Sequence, residues 1–224
     1  MFFCGRTQGG EENGASKLIA LTFDDGPSSS TPMVLDKLEK YNIVASFFVL
    51  GAELDAQNAL IIGRALKMGC EINNHSRTHS DMTKMTREQI LAELKYTSDK
   101  VMEITGEPTR FFRPPYIAVN DLMFDSIDMP FICGYGADDY DDSISAQERS
   151  SRILEQISDG SIILLHDSSG NIKTVEALDL LIPVLIERGY IFVTVSQLFQ
   201  AKKIVPEKHA RIIFSYAEQT TMYG

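Results

Sequence analysis

From Lys17 onward the chain repeats one pattern, a short apolar run followed by a longer amphipathic stretch. The runs are "LIALTF" (18–23), "ASFFVL" (45–50), "CEIN" (70–73), "TRFF" (109–112), "PFICG" (130–134), "SIILLH" (161–166) and "YIFVTV" (190–195). Each has the length of a buried strand. Between them a helical period marks residues 31–41, 55–69, 86–105, 145–158 and 175–189. Gly69, Gly106, Gly160 and Gly189 stand where helices commonly terminate, and Thr31-Pro32 reads as an N-cap followed by the first helical residue. Strands that are apolar throughout must be covered on both faces, so the pattern predicts an α/β fold with helices over a mostly parallel sheet. An open doubly wound sheet and a closed α/β barrel both satisfy it. In either, functional side chains belong just past the C-terminal ends of the strands.

The 224 residues suffice for one large domain or two small ones. Residues 1–16 read as a flexible lead-in, 17–200 as the folded domain, and 201–224, which lack a clear period, as a peripheral C-terminal extension. A net charge of -10 repels nucleic acid and anionic lipid, and it is compatible with a neutral substrate such as a polysaccharide. No apolar run approaches the ~20 residues of a membrane span. The opening "MFFCGRTQGG" is too short for a signal peptide, so the chain reads as a mature segment. Cys4, Cys70 and Cys133 form neither a metal pair nor a disulfide framework; the last two read as small core residues.

Polar residues gather at the predicted strand ends. Asp24 and Asp25 follow the first run, and "NHSRTH" with His75 and His79 follows the third. "RPPY" (113–116), "ADDYDD" (137–142) and the pair His166-Asp167 follow the next three. Scattered polar residues occur on any surface; their shared position is what marks a site. His75 and His79 are four apart, and on a helical turn both imidazoles would share one face and reach one metal ion. Spacing alone also fits two surface histidines, but three of the chain's four histidines fall at strand ends.

Such a site needs a further ligand, and Asp24 or Asp25 can supply it. Adjacent side chains in a turn point differently, so one can bind metal while the other stays free as a base toward a water the cation acidifies. His166 is a candidate general acid, against the alternative of a satisfied core histidine. Two prolines after Arg113 stiffen the backbone and fix where Arg113 and the amide of Tyr116 point. The acid-rich "ADDYDDS" is a solvated loop, or it orders Arg113 or tunes His166; it lacks the spacing of an EF-hand. "NHS" (74–76) matches a glycosylation sequon by chance, because a glycan there would block the metal site.

Together "TFDDGP", "NHSRTH", "RFFRPPY" and "IILLHD", in that order, resemble the polysaccharide deacetylases with the NodB homology domain, carbohydrate esterase family 4. The resemblance covers Lys17 to Phe199. It implies a distorted (β/α) barrel of about seven to eight units, a divalent metal, commonly zinc or cobalt, held by Asp-His-His, and removal of acetyl groups from a carbohydrate outside the cell or at its surface. Carried over, Asp25, His75 and His79 resemble the metal ligands, Asp24 the catalytic base, and Arg113 the arginine that holds the base. Tyr116 resembles the residue whose N–H binds the oxyanion, and His166 the catalytic acid. Asp139 is the nearest match for the acidic residue that supports this histidine, with Asp138 and Asp141 as the alternatives.

The chain departs from the family pattern in two places. The family's fourth motif has Asp-Trp, whereas this chain has no Trp and offers Asp139-Tyr140. Ile117 stands where a Gly often follows the Tyr of the third motif. The loops and "GADDYDDSISAQER" resemble the acetylxylan esterase branch, which implies O-acetyl groups on xylan. N-acetyl groups of chitin oligomers or of peptidoglycan N-acetylglucosamine are the alternatives. A haloacid-dehalogenase-like phosphatase, with "ADDYDD" as its later acidic pair, and a non-catalytic carbohydrate-binding relative are the competing classes.

Overall fold

The computed structural model describes residues 16–221. The lead-in expected over 1–16, Cys4 included, lies almost wholly outside the described residues. The chain runs β1 (Lys17–Asp24), α1 (Thr31–Tyr41), β2 (Ser46–Val49), α2 (Ala56–Lys67), β3 (Glu71–Asn74), α3 (Arg87–Thr105) and α4 (Asp121–Ser126). It continues with β4 (Phe131–Ile132), α5 (Ala146–Gln156), β5 (Ile162–His166), α6 (Ile172–Glu187), β6 (Tyr190–Val193), α7 (Val195–Lys202) and β7 (Ile213–Phe214).

β1 is the centre of a parallel sheet. Lys17–Ala20 pair with β6, Thr22–Asp24 with β2, and Ala20–Asp24 with β5, while β3 extends the sheet beyond β2. Past β3 the pairing shrinks to single parallel bridges, Asn74 to Phe112, Phe112 to Phe131 of β4, and Tyr135 to Ile163 of β5. These close the circuit into an irregular barrel. The run "TRFF", expected as a strand, therefore pairs only through the bridges of Phe112. Pro114 and Pro115 follow after Arg113, lack N–H donors and cannot extend the ladder.

Strand alternation sorts the core into layers. Ile19, Leu21 and Phe23 of β1 pack with Val34, Leu35 and Leu38 of α1 and Leu178, Leu181 and Leu185 of α6. Ala20 faces the other way, in a cluster with Phe48, Phe111, Ile132, Ile162 and Phe199 that fills the barrel. Asp24 shares the inward parity of Ala20, and His166 that of Ile162. The β1–β5 register sets these two residues opposite each other at the top of the barrel.

The helices end largely where their signals lie. α3 opens with a Thr86–Gln89 capping box and closes on left-handed Gly106, φ 74°. Thr31, expected as the N-cap of α1, is its first residue instead, and Ser30 occupies the cap. The Thr31 hydroxyl accepts from Ser28 N–H at 2.8 Å and donates to the Asp167 carboxylate, so it is spent on tertiary structure. The tail expected as a peripheral extension supplies β7, which pairs with β4, and buries Ile213, Phe214 and Ala217.

Candidate active site

β1 ends on Asp24, which is buried, and the strand breaks at Asp25, whose φ of 73° is left-handed. The break sends the two carboxylates to different partners. Asp24 Oδ1 accepts from Arg113 Nη1 at 2.6 Å. Arg113 is fully buried; its Nη2 donates to the carbonyl of Cys133, and its guanidinium lies 4.1 Å from the centre of the Phe48 ring. Asp25 Oδ1 lies 3.4 Å from His75 Nε2 and 3.3 Å from His79 Nε2.

The two histidines meet without a helical turn. His75 follows β3, and Ser76 and His79 adopt left-handed φ values of 70° and 56°, which curl the loop back on itself. Asn74 is fully buried, donating its amide to Leu94 O and Ser98 Oγ, and therefore offers no glycosylation site. His75 Nδ1 sits 2.7 Å from the carbonyl of Arg113, an acceptor only. This bond puts the ring hydrogen on Nδ1 and leaves the Nε2 lone pair toward Asp25.

Asp25, His75 and His79 thus bring three ligating atoms within 4.8 Å of one another. Asp25 Oδ1 is buried and has no hydrogen-bond partner among the described residues, as expected of an oxygen kept for a cation. Burial pushes the Asp25 carboxyl up, but the adjacent His75, with His166 and His79 nearby, outweighs it and holds it below its ordinary value. His79 is lowered by burial and by His75, against the pull of Asp25, which favours a neutral imidazole. Two imidazoles and a carboxylate fit zinc or cobalt better than magnesium or calcium.

Across the cleft, His166 Nδ1 meets Asp139 Oδ1 at 2.7 Å, and His166 N–H donates to Asp139 Oδ2 at 2.8 Å. Burial pulls the imidazole down; the Asp139 hydrogen bond and charge, with Asp24 and Asp25 behind, override this and raise it to about 9. Of the candidate acidic residues only Asp139 does this. Asp138 pairs with Arg152 at 2.6 Å and Asp141 caps Ser143 N–H at 2.7 Å. The acidic run is therefore not the second carboxylate pair a haloacid-dehalogenase-like site would need, and it does not touch Arg113.

Tyr116 sits in a single turn at Pro115–Ile117 with φ 59°, its ring packed edge-on against His79 with centroids 4.6 Å apart. Among the described residues its backbone N–H meets no acceptor. These groups, with Ile117, Tyr140 and Leu164, line a cleft of about 630 Å³. Cys133, expected in the core, is half-buried and lines the same cleft, whereas Cys70 is a core residue.

Three residues that pattern reading did not single out complete the site. Thr174 Oγ1 donates to Asp139 Oδ2 at 2.7 Å, Asn171 Nδ2 donates to Asp139 O at 3.2 Å, and fully buried Arg149 donates to both. An unbroken polar spacing would not find them, because they come from α5 and the start of α6, far apart in sequence.

Comparison with known proteins agrees with this geometry. Residues 11–128 match the family model described as polysaccharide deacetylase. The chain is 50% identical over 196 residues to a bifunctional xylanase/deacetylase of Pseudobutyrivibrio xylanivorans, covering 88% of this chain and 33% of that protein. It is 38% identical over 189 residues to the peptidoglycan-N-acetylglucosamine deacetylase PgdA of Listeria monocytogenes, covering 84% of this chain and 40% of the relative. The chain therefore spans only a third to two fifths of the length of these relatives. A solved family 4 acetyl xylan esterase from Clostridium thermocellum, in complex with a cobalt ion, superposes with a TM-score of 0.88 at 38% identity, over 91% of this chain and all of that one. Matching family model, relatives and barrel agree: the chain belongs to the polysaccharide deacetylase family.

Proposed function

We propose that this protein is a metal-dependent carbohydrate deacetylase that removes O-acetyl groups from xylan. The observation that carries the reading is the buried, unpartnered Asp25 Oδ1, on which His75 Nε2 and His79 Nε2 converge beside an Arg113-held Asp24. A zinc or cobalt ion held by Asp25, His75 and His79 would polarise the acetyl carbonyl and acidify the attacking water.

The chain's own residues then divide the work. Asp24, aimed by Arg113, accepts a proton from the water as its oxygen bonds to the acetyl carbon. The free N–H of Tyr116 donates to the carbonyl oxygen as negative charge builds there. His166, raised to about 9 and so protonated near neutrality, gives its Nε2 proton to the sugar oxygen as the ester C–O bond breaks. Acetate and the sugar hydroxyl leave, and proton exchange with solvent restores both residues.

Xylan is favoured over peptidoglycan by the xylanase/deacetylase and acetyl xylan esterase among the relatives and by the net charge of -10, which suits a neutral strand better than an anionic one. Such a substrate places the enzyme outside the cell or at its surface. The test is acetate release from acetylxylan, chitin oligomers and peptidoglycan, with chelator and with Zn²⁺ or Co²⁺ restored. Release from acetylxylan alone, lost with chelator and regained with metal, is expected. Preferential release from the N-acetylated substrates overturns the xylan assignment, and release from none overturns the deacetylase reading.

A further inference from the structure

Arg149, on α5, is fully buried, and its donors all go to uncharged groups. Nη1 donates to Asn171 Oδ1 at 2.5 Å and Thr174 Oγ1 at 2.8 Å, Nη2 to Asp141 O at 3.0 Å, and Nε to Ile144 O at 3.0 Å. A buried guanidinium without a carboxylate beside it is costly, so its placement calls for a reason.

The reason lies one bond further on. A guanidinium can only donate. By occupying Asn171 Oδ1 it turns the Asn171 amide nitrogen toward Asp139 O, at 3.2 Å, and His166 O, at 3.0 Å. By donating to Thr174 Oγ1 it leaves the hydroxyl hydrogen for Asp139 Oδ2, at 2.7 Å. Both neutral side chains, which could otherwise point either way, are forced to present donors to Asp139. The same guanidinium ties down the loop that carries Asp139 through Asp141 O and Ile144 O.

We propose that Arg149 is a positioning residue for proton donation, orienting Thr174 and Asn171 so that Asp139 is held where it fixes the His166 ring. This rests on the assignment of His166 as the acid. The groups facing His166 are Asp139 and Tyr140 from the loop before α5 and Asp24 and Asp25 from β1. Arg149 touches none of them directly and acts through Thr174 and Asn171.

The experiment compares two leaving groups. Acetylated xylooligosaccharide must have its departing sugar oxygen protonated, whereas 4-nitrophenyl acetate releases a stable anion. Arg149→Met is expected to lower kcat on the oligosaccharide about tenfold or more, with KM and the aryl ester rate each within about twofold. Thr174→Val, which removes only the donor to Asp139, is expected to give the same signature and carries the test if Arg149→Met does not fold. In a His166→Ala background Arg149→Met adds no further loss. A readout that needs no turnover is the ¹H resonance of the His166 Nδ1–H bonded to Asp139 at 2.7 Å, expected to be downfield and slowly exchanging in the wild type and lost to solvent exchange in either variant. Equal losses on both substrates, an additive loss with His166→Ala, or an unchanged Nδ1–H resonance overturns the proposal. If the wild type released acetate from no carbohydrate, the deacetylase reading would fall and the Nδ1–H resonance would still decide the role of Arg149.

Discussion

Replacing Asp139 with asparagine is expected to move the alkaline limit of the pH–rate profile down by about two units or more. His166 stands at about 9 because the Asp139 hydrogen bond and charge override the burial that would lower it. The amide in Asp139→Asn would keep the size and could still accept from His166 N–H, but it brings no charge. Burial then dominates, and the ring falls to its ordinary value of about 6.5 or below. The acid must be protonated, so activity is present below its folded value and lost as pH rises through it. At about pH 7.5 the protonated fraction then drops from nearly all to about a tenth, a rate loss of roughly tenfold from protonation alone. The assay is kcat/KM for acetate release from acetylated xylooligosaccharides across the neutral to alkaline range. Stability gives a parallel readout. A raised imidazole contributes stability that is fully present below its unfolded value, near 6.5, and is lost as pH rises through about 9. Asp139→Asn is thus most destabilising at the lower pH, by roughly 3 kcal/mol at most, with the gap to wild type narrowing toward pH 9. An Asp139→Asn enzyme whose alkaline limb stays at the wild-type position refutes the assignment of His166 as the acid tuned by Asp139.

Other perturbations separate the remaining roles. Asp24→Asn is expected to abolish turnover yet retain zinc in a titration calorimetry experiment, while His75→Ala loses zinc affinity; an active Asp24→Asn enzyme would sink the role of the base. Arg113→Met leaves the buried Asp24 carboxylate without its partner at 2.6 Å and is expected to destabilise by about 3–5 kcal/mol in denaturant unfolding. Gly26→Ala would set a methyl 2.4–2.8 Å from the carboxylate of fully buried Asp167. That clash displaces the turn carrying Asp25, so reduced metal affinity with a loss of about 1–3 kcal/mol is expected, and wild-type affinity would refute the close packing.

Much of this site is legible in the sequence because barrel geometry puts strand ends in one place. Asp24 and His166 are separated by most of the chain yet become register partners once β1 and β5 pair. The spacing of His75 and His79 names the right residues for a different reason, since left-handed Ser76 and His79, neither of them glycine, bend the loop where a helical turn was expected. Thr31 misleads because a hydroxyl that fits a cap is equally able to donate to Asp167. Arg149 is illegible for a related reason. An arginine in a polar helix ordinarily reads as solvated, and only its sharing of a buried face with Ser150 and Ile153 shows otherwise. Its partners belong to a different element, and no local pattern links them.

The adjacency of Asp24 and Asp25 follows from charge and backbone together. Two carboxylates about 4 Å apart in a protein interior repel by roughly 4 kcal/mol, so a neighbouring pair persists only if each anion has its own partners. Had β1 continued one residue further, Asp25 would take the parity of Phe23 and point into the apolar layer against α1 and α6. The left-handed turn at Asp25 avoids this by bringing its carboxylate back over the barrel mouth to His75 and His79. Arg113 meanwhile neutralises Asp24 from below, and its own carbonyl holds Nδ1 of His75. One arginine thus serves both carboxylates, Asp24 through its side chain and Asp25 through the histidine its backbone orients, which is how two like charges can stand side by side at the end of one strand.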